Sequence, residues 1–200
     1  MKLLTFSDLH ASKVSLDKLE ELAKDCDALV CAGDFTVFGR GQRAVLQRLN
    51  SFGKPVIVVH GNHEVEDMVK DDVADLENCV FLHGNSHKIK DTVFAAWGGG
   101  GFALTDRGLA EKMTYFLNVA KYNKQKGYKL VFVTHAPPHR TALDDMSGNF
   151  VGNQTIRDAI VYLQPDLFVS GHIHETQGNV DKLGKSVLVN PGPSGVVMKI

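Results

Sequence analysis

Aspartate, asparagine and histidine side chains recur in five short motifs along the chain. Each motif follows a run of apolar residues, of the kind that forms a buried strand. The motif residues are Asp8 and His10, Asp34, Asn62 and His63, His135, and His172 and His174. Carboxylate and neutral imidazole groups together suit Mn, Fe or Zn, and the motifs contain no cysteine. These residue types therefore indicate a metal site without thiolate ligands.

The number of candidate ligands indicates two ions rather than one. Seven side chains are too many for a single tetrahedral ion, but they suit two ions that share a carboxylate: Asp8, His10, Asp34, Asn62, His135, His172 and His174. Two ions roughly 3.5–4 Å apart bind both the attacking and the leaving oxygens of a phosphoryl displacement, and a water that bridges them ionises near neutral pH. The motifs therefore predict metal-assisted hydrolysis of a phosphate ester.

The segments between the motifs must bring these side chains to one place. Predicted strands over 2–7, 27–32 and 55–60 alternate with predicted helices over 15–24 and 41–49, which favours a parallel βαβαβ core. Ligands bind such sheets at the carboxyl ends of the strands, where the motifs stand. Further helices are predicted over 64–76, 105–126 and 153–163, and further strands over 79–82, 87–90, 92–97, 129–134 and 166–170. We expect the last thirty residues to form antiparallel strands that turn at 183–185 and 190–193.

Composition limits the possible partners. The 200 residues are 44% hydrophobic and 22% charged, as in an ordinary globular domain, so we expect one domain over 1–200. The net charge of −1 provides no diffuse basic field, so strong nucleic-acid binding is not expected. No apolar run is long enough to predict a membrane span or a signal peptide, and the three cysteines form no C-x-x-C pair. A cytoplasmic location is the expectation, and a homo-oligomer is compatible with these features.

The motifs also resemble those of a known family. Asp8-Leu9-His10, Gly33-Asp34, Gly61-Asn62-His63-Glu64, Thr134-His135 and Gly171-His172-Ile173-His174 are similar, in order, to the five motifs of the calcineurin-like metallophosphoesterases. The resemblance implies an α/β fold, a four-layer αββα sandwich of two mixed sheets flanked by helices, with a dinuclear metal site at the sheet rim.

The resemblance also implies a role for each motif residue. Asp8, His10 and His174 would hold one ion, Asn62, His135 and His172 the other, and Asp34 would bridge them. Catalysis would depend on the bridging hydroxide and on His63, which would stabilise the transition state or protonate the leaving oxygen. Mn²⁺ is the expected ion, with Fe, Zn or Ni as alternatives.

One departure from the family pattern bears on the substrate. The protein phosphatases of the family carry G-D-x-x-D-R-G, whereas here Val37 and Phe38 replace the Asp and the phosphate-binding Arg. Loss of a bidentate Arg argues against a monoester dianion. We therefore expect the substrate to be a small phosphodiester, a class that includes cyclic nucleotides. Residues 134–139, 171–175 and 190–192 are also similar to small prokaryotic members and cyclic-nucleotide phosphodiesterases.

Residues outside the motifs receive weaker assignments. His139 and Arg140 are candidate substrate-binding residues beside His135, and Asn62 would also contact substrate. His60 is expected to support the site, and His83 and His87 to lie at the surface. The glycine run 98–101 is either a border of the pocket or a plain turn.

Three alternative functions remain open. A phosphomonoesterase and a nuclease would use the same metal centre. The nuclease is disfavoured because no capping domain fits after His174 and no basic stripe flanks the motifs. A catalytically silent scaffold would be expected to lack ligands, yet all seven and His63 are present.

Overall fold

Two mixed β-sheets pack face to face in this protein, and helices cover both outer faces. The computed structural model describes all 200 residues. The strands are β1 (Lys2–Phe6), β2 (Ala28–Ala32), β3 (Val56–Val59), β4 (Cys79–Phe81), β5 (Asn85–Ile89), β6 (Thr92–Trp97), β7 (Lys129–Thr134), β8 (Asp145–Met146), β9 (Asn149–Phe150), β10 (Leu167–Val169), β11 (Val180–Leu183), β12 (Ser186–Val189) and β13 (Val196–Lys199). The helices are α1 (Lys13–Ala23), α2 (Gln42–Asn50), α3 (Glu66–Val73), α4 (Arg107–Lys126) and α5 (Gln154–Leu163).

Each large sheet has a parallel centre and antiparallel edges. The first has the order β13-β1-β2-β3-β4, and only β13 runs antiparallel to its neighbour. The second has the order β11-β12-β10-β7-β6-β5, with antiparallel pairs only at the two edges. A short β8–β9 hairpin stands apart from both sheets.

Three buried layers follow from the alternation of side chains along the strands. In β2, Leu29 and Cys31 face α1, α2 and α3, while Ala28 and Val30 face the other sheet. In β7, Phe132 packs towards α4 and α5, and its neighbours pack between the sheets. Because both faces of the central strands are covered, these strands are apolar throughout rather than alternating. The four-layer αββα sandwich predicted from the sequence is confirmed.

Two helices begin at residues other than those predicted from the sequence. The predicted helix at 15–24 begins at Lys13, because the Ser12 side chain, not that of Ser15, caps it by accepting the Ser15 N–H. The predicted helix at 64–76 begins only at Glu66, since the Glu64 carboxylate binds backbone groups of two neighbouring loops.

The chain end also departs from the prediction. The turn at 183–185 joins β11 and β12 as an antiparallel hairpin. Residues 190–193 do not make a second hairpin, because β12 pairs with β10 in one sheet and β13 with β1 in the other. This segment crosses between the sheets, and on the way the Gly192 carbonyl accepts the Ser7 N–H beside Asp8. The crossing therefore supports the loop that carries the first motif.

Candidate metal centre

The seven predicted ligands lie at one rim, where the parallel strands end. Asp8 and His10 follow β1, Asp34 follows β2, and Asn62 follows β3. The second sheet contributes His135 after β7 and His172 and His174 after β10. We refer to these seven side chains as the candidate metal centre. Each large sheet supplies part of it, so the centre depends on how the two sheets pack.

The backbone at the centre adopts an uncommon conformation. Asp8, His10, Asp34 and His172 have positive φ angles of 53°, 45°, 49° and 72°. Such angles cost free energy for residues other than glycine and persist only where surrounding structure enforces them. Here the backbone N–H groups of Asp8 and His10 donate to the carbonyls of Gly33 and Asp34, which joins the first two motif loops. The Asp8 carboxylate in turn accepts the His172 N–H at 3.2 Å.

The side chains form two groups that share Asp34. Ligand atoms of Asp8, His10 and His174 lie within 4.8 Å of one another, as do those of Asp34, His135 and His172. Asn62 joins the second group, because its Oδ1 lies 3.1 Å from His135 Nε2. Asp34 also lies within 4.8 Å of His10 and His63, so this carboxylate stands between the groups. These are the two sets of side chains that the family resemblance implies as ligands, and their binding of metal ions stays a prediction.

Nε2 of His10 and Nε2 of His135 face the centre, and each carries a lone pair when its ring is neutral. Nδ1 of His10 lies 3.0 Å from the Thr36 carbonyl, and Nδ1 of His135 lies 2.8 Å from the Ala32 carbonyl. A carbonyl only accepts, so each Nδ1 carries the proton and each Nε2 of the neutral ring presents a lone pair. This is the arrangement in which carbonyl groups orient metal-binding histidines.

Those lone pairs point at other electron-rich atoms. Nε2 of His10 lies 3.2 Å from Nε2 of His174, and Nε2 of His135 lies 3.3 Å from a carboxylate oxygen of Asp34. A hydrogen atom or a metal ion must lie between the atoms of each contact, and the Nε2–H of a neutral His174 ring is sufficient for the first. Nε2 of His172 is buried at the same centre with no hydrogen-bond partner. The donor set therefore fits divalent metal ions.

Burial and the pairing of Asp34 with His135 determine the protonation of the centre. Burial opposes charge on Asp34, but His135 and the His63 N–H stabilise its carboxylate and lower its pKa to about 2. Burial likewise opposes charge on His135, but Asp34 outweighs it and raises the pKa of His135. Burial, helped by His135, lowers the pKa of His172 to about 4. Asp34 is therefore ionised and His172 neutral near pH 7, the forms that bind metals.

His63 differs from the predicted ligands in its hydrogen bonding. Its Nδ1 accepts the backbone N–H of Phe38 at 3.3 Å, and the Phe38 ring stacks on the imidazole with centroids 4.3 Å apart. Because Nδ1 accepts, the proton of the neutral ring is on Nε2. Nε2 lies 3.8 Å from an Asp34 oxygen, so the N–H faces the centre. A neutral His63 is thus arranged to donate a hydrogen bond there from Nε2, not to bind a metal.

Glu64 is a site residue to which sequence reasoning gave no role. Its buried carboxylate accepts the N–H groups of Asp34, Thr36 and Gly61 and the Thr36 hydroxyl. It thereby ties the loop after β2 to the loop after β3. The signal was available, because Glu64 belongs to a quoted motif and acidic residues are seldom buried unless they are paired or hydrogen-bonded.

Two motif glycines allow the loops to approach the carboxylates. A Cβ on Gly171 would lie 2.5 Å from a carboxylate oxygen of Asp8, and one on Gly61 would overlap the Asp34 side chain. No other residue fits at these positions without moving a predicted ligand.

The candidate substrate-binding residues fall into two groups. Asn62 lies within the centre, whereas His139 and Arg140 make no hydrogen bond or ion pair with a predicted ligand. His139 Nδ1 lies 3.5 Å from Asp144, and that carboxylate also accepts the Arg140 N–H. The Arg140 side chain is exposed. Their contact with substrate stays a prediction.

The histidines at 60, 83 and 87 occupy different surroundings. His60 is buried, and His83 is partly buried against Trp97, which corrects the expected surface position of His83. His87 is exposed as expected. His60, His83 and Glu66, which we call the outer histidine cluster, also have potential ligand atoms within 4.8 Å of one another. However, Nδ1 of His83 accepts the Gly98 N–H, so its Nε2 carries the proton and cannot bind a metal as a neutral ligand.

The glycine run 98–101 borders the candidate metal centre. Gly98 and Gly99 pack against His60, and Gly100 packs against Ala136, next to His135. The run leads to Phe102, whose ring lies 4.6 Å from the His172 ring. Of the two interpretations that the sequence left open, the structure therefore favours the border.

Solved structures share this architecture. The protein TT1561 of Thermus thermophilus aligns with a TM-score of 0.77 at 19% identity, over 96% of this chain and 90% of that one. A dimetal phosphatase from Danio rerio aligns with a TM-score of 0.64 at 11% identity, over 95% and 86%. A phosphopantetheinyl hydrolase from Mycobacterium tuberculosis aligns with a TM-score of 0.60 at 14% identity, over 96% and 88%. At these identities the likeness shows the fold.

Sequence comparison gives the family. Curated protein sequences give no match. No helix of the structure combines the length and apolar character that crossing a bilayer requires. The family model described as calcineurin-like phosphoesterase matches residues 1–176, which include all five motifs. With its fold and its candidate ligands, the chain belongs to the calcineurin-like phosphoesterases and is a phosphate-ester hydrolase.

Proposed function

We propose that this chain hydrolyses small phosphodiesters, a class that includes cyclic nucleotides, with two divalent ions. Asp8, His10 and His174 would hold one ion and Asn62, His135 and His172 the other, with Asp34 shared. When bound, the ions supply positive charge at the phosphate and a water that is acidic enough to react near neutral pH. The carboxylate, amide and imidazole donors suit Mn²⁺, with Fe, Zn and Ni as the alternatives.

His63 stabilises the transition state with a hydrogen bond from its Nε2–H to the phosphate or to the leaving oxygen. The observation that carries this role is the hydrogen bond from the Phe38 N–H to Nδ1. It keeps the proton on Nε2, on the side of the ring that faces Asp34. The stacked Phe38 ring restricts rotation of the imidazole, so the N–H stays aligned with the centre. Removal of one hydrogen-bond donor positioned in this way lowers kcat by about 10²–10³-fold.

The preference for a diester follows from the same segment. In the protein phosphatases an arginine occupies the position of Phe38, where it can bind a phosphate dianion with two hydrogen bonds. Here a phenylalanine ring lies against His63 instead. A diester carries one negative charge, so it requires less compensating charge than a monoester dianion. An apolar ring beside the phosphate therefore favours the diester.

A substrate comparison tests this proposal. With Mn²⁺, we would measure kcat/KM for a bis-aryl phosphate, the matching mono-aryl phosphate, 2′,3′- and 3′,5′-cyclic nucleotides, and single-stranded DNA. The proposal expects the small diesters to exceed the monoester by at least about tenfold, because the site lacks the arginine contact. A preference for the monoester would overturn it. Rapid, salt-sensitive cleavage of the DNA would favour a nuclease instead.

The ion requirement is tested on the same protein. Chelation should abolish hydrolysis, and Mn²⁺, Fe²⁺, Zn²⁺ and Ni²⁺ would then be restored one at a time. Mn²⁺ should give the highest rate. Fewer than one ion bound per chain under saturating Mn²⁺ would favour a silent scaffold.

We also propose that residues 1–200 act as one metallophosphoesterase domain in the cytoplasm. Cys26, Cys31 and Cys79 are buried free thiols, as is usual in a reducing compartment. The candidate centre draws on both sheets, so neither half is complete alone. Cell fractionation and limited proteolysis test these two points. A stable fragment that keeps the activity would contradict the single domain.

A further inference from the structure

The exposed phenylalanines of this protein are not scattered over its surface. Eleven phenylalanines are present, and the exposed ones are Phe38, Phe102 and Phe150. Phe38 and Phe102 are 75% and 68% exposed, an unusual degree for so large an apolar side chain. Each of these two rings lies against a histidine of the site, Phe38 on His63 and Phe102 on His172. Large apolar groups exposed together beside a polar centre mark a binding surface.

The two rings approach the candidate metal centre from different sheets. Phe38 lies between β2 and α2 of the first sheet, and Phe102 lies between β6 and α4 of the second. Because His63 and His172 each have a ligand atom within 4.8 Å of Asp34, both rings lie beside the place where a phosphate would bind. We refer to Phe38 and Phe102 as the aromatic rim.

The surroundings of Phe38 indicate the size of the group it could bind. One face of its ring is covered by His63, with the two planes inclined by 21°, while most of the remaining ring surface is open. A cavity of about 250 Å³ opens beside it, lined also by the exposed side chains of Val65 and Met68. This volume is below the roughly 300–1,000 Å³ of pockets for drug-sized ligands. A single flat ring fits such a space better than a long chain does.

From these contacts we infer that the aromatic rim binds the organic groups of the substrate, and that the preferred diester carries a flat aromatic group or nucleobase. This inference rests on the proposed function and makes its substrate class narrower. A diester has two organic groups and can use both rings, whereas a monoester can use only one. Each ring contact should strengthen binding by about two- to tenfold, which corresponds to the strength of an aromatic pair.

A kinetic experiment distinguishes two roles of the aromatic rim: binding the organic groups of the substrate, and holding His63 and His172 in place. We would measure kcat/KM for bis(4-nitrophenyl) phosphate and for methyl 4-nitrophenyl phosphate, which share a leaving group and differ in the second group. The ratio between the two substrates should favour the bis-aryl ester in the unmodified protein. It should fall about two- to tenfold in Phe102→Ala and be retained in Phe102→Tyr, which keeps a flat ring. Tyr162→Ala, which removes an aromatic ring that is 70% exposed on α5, is the matched control and should leave the ratio unchanged.

A binding measurement makes the outcome independent of turnover. Calorimetry would compare phenyl phenylphosphonate with methyl methylphosphonate, both monoanions, on the Mn²⁺-loaded protein and on the Phe38→Ala, Phe102→Ala double variant. The inference expects tighter binding of the phenyl compound, with most of that advantage lost in the double variant. If this holds while no ester is hydrolysed, the proposed function fails and the aromatic rim stands.

Two results would overturn the inference. An unchanged substrate ratio in Phe102→Ala, with both rates lowered equally, would assign Phe102 to support of His172 alone. Equal binding of the two phosphonates, together with an oligomer that dissociates in the double variant, would assign the rings to contacts between copies of this chain.

Discussion

Two clusters of histidine and carboxylate lie close together in this protein, and only one is suited to bind metal. The candidate metal centre and the outer histidine cluster both receive side chains from the loop after β3, and both bring ligand atoms within 4.8 Å. In the first, carbonyl groups accept from Nδ1 of His10 and His135 and leave Nε2 unprotonated. In the second, a backbone N–H donates to Nδ1 of His83 and keeps the proton on Nε2.

The comparison shows that residue types and distances do not by themselves define a metal site. The partner of the remote ring nitrogen decides whether a histidine offers a lone pair or a proton. His63 illustrates the same point inside the candidate centre, because the Phe38 N–H makes it a hydrogen-bond donor among the predicted metal ligands.

Substitution of the shared carboxylate should have the greatest effect. Asp34→Asn removes the negative charge that lies between the two ligand groups while keeping the side-chain size. We expect metal content to fall from two ions per chain to one or fewer and hydrolysis to fall by well over about a hundredfold, since even outer-sphere substitutions cost 10–100-fold. Elemental analysis and kcat/KM measure both. Two retained ions would contradict the shared role of Asp34.

Substitution of His63 should separate metal binding from catalysis. His63→Ala should lower kcat by about 10²–10³-fold because it removes a hydrogen-bond donor that stabilises the transition state. Metal content should stay at two ions per chain, unlike in Asp34→Asn, because Nδ1 of His63 accepts a hydrogen bond and Nε2 offers no lone pair. Elemental analysis of the same preparation is the check. Full activity in this variant would show that the assignment of His63 is wrong.

Two neighbouring glutamates should differ in their effect on stability. In Glu64→Gln an amide NH₂ group replaces one carboxylate oxygen and faces backbone N–H groups that then lose their acceptor. This change should lower the free energy of unfolding by about 2–3 kcal/mol. Glu66→Gln is the matched control in the outer histidine cluster. The Glu66 side chain is 47% exposed, so this change should cost less than about 0.5 kcal/mol. Urea unfolding of both variants measures the difference, and equal midpoints would contradict it.

The smallest effect is expected for metal binding by the outer histidine cluster. His83→Ala should leave the number of bound Zn²⁺ or Mn²⁺ ions unchanged, because the Gly98 N–H prevents Nε2 from offering a lone pair. The exposed His87 provides the control, as His87→Ala. Calorimetric titration of the chelated proteins counts the sites. One site fewer in His83→Ala alone would mean that the outer cluster binds metal and that the tautomer argument fails there.

The sequence by itself determined the order of strands and helices and the edge at which the motifs stand. Apolar runs such as Val56–Val59 are recognisable as strands because both of their faces are buried, and the residues that follow them reach one rim as a consequence of parallel order. The order of the five motifs was enough to indicate the family. These features are local or depend on a simple repeat, so they can be predicted from the chain alone.

Only the tertiary structure decided which histidines present lone pairs. The Nδ1 partners of His10, His63 and His135 come from residues between 25 and 103 positions away in the chain. Likewise, the crossing of residues 190–193 between sheets and the burial of Glu64 depend on contacts between distant loops. The physical reason is that the hydrogen-bond partner of Nδ1 determines which ring nitrogen of a histidine carries the proton. Only folding brings that partner, which is distant in the chain, into contact with the ring.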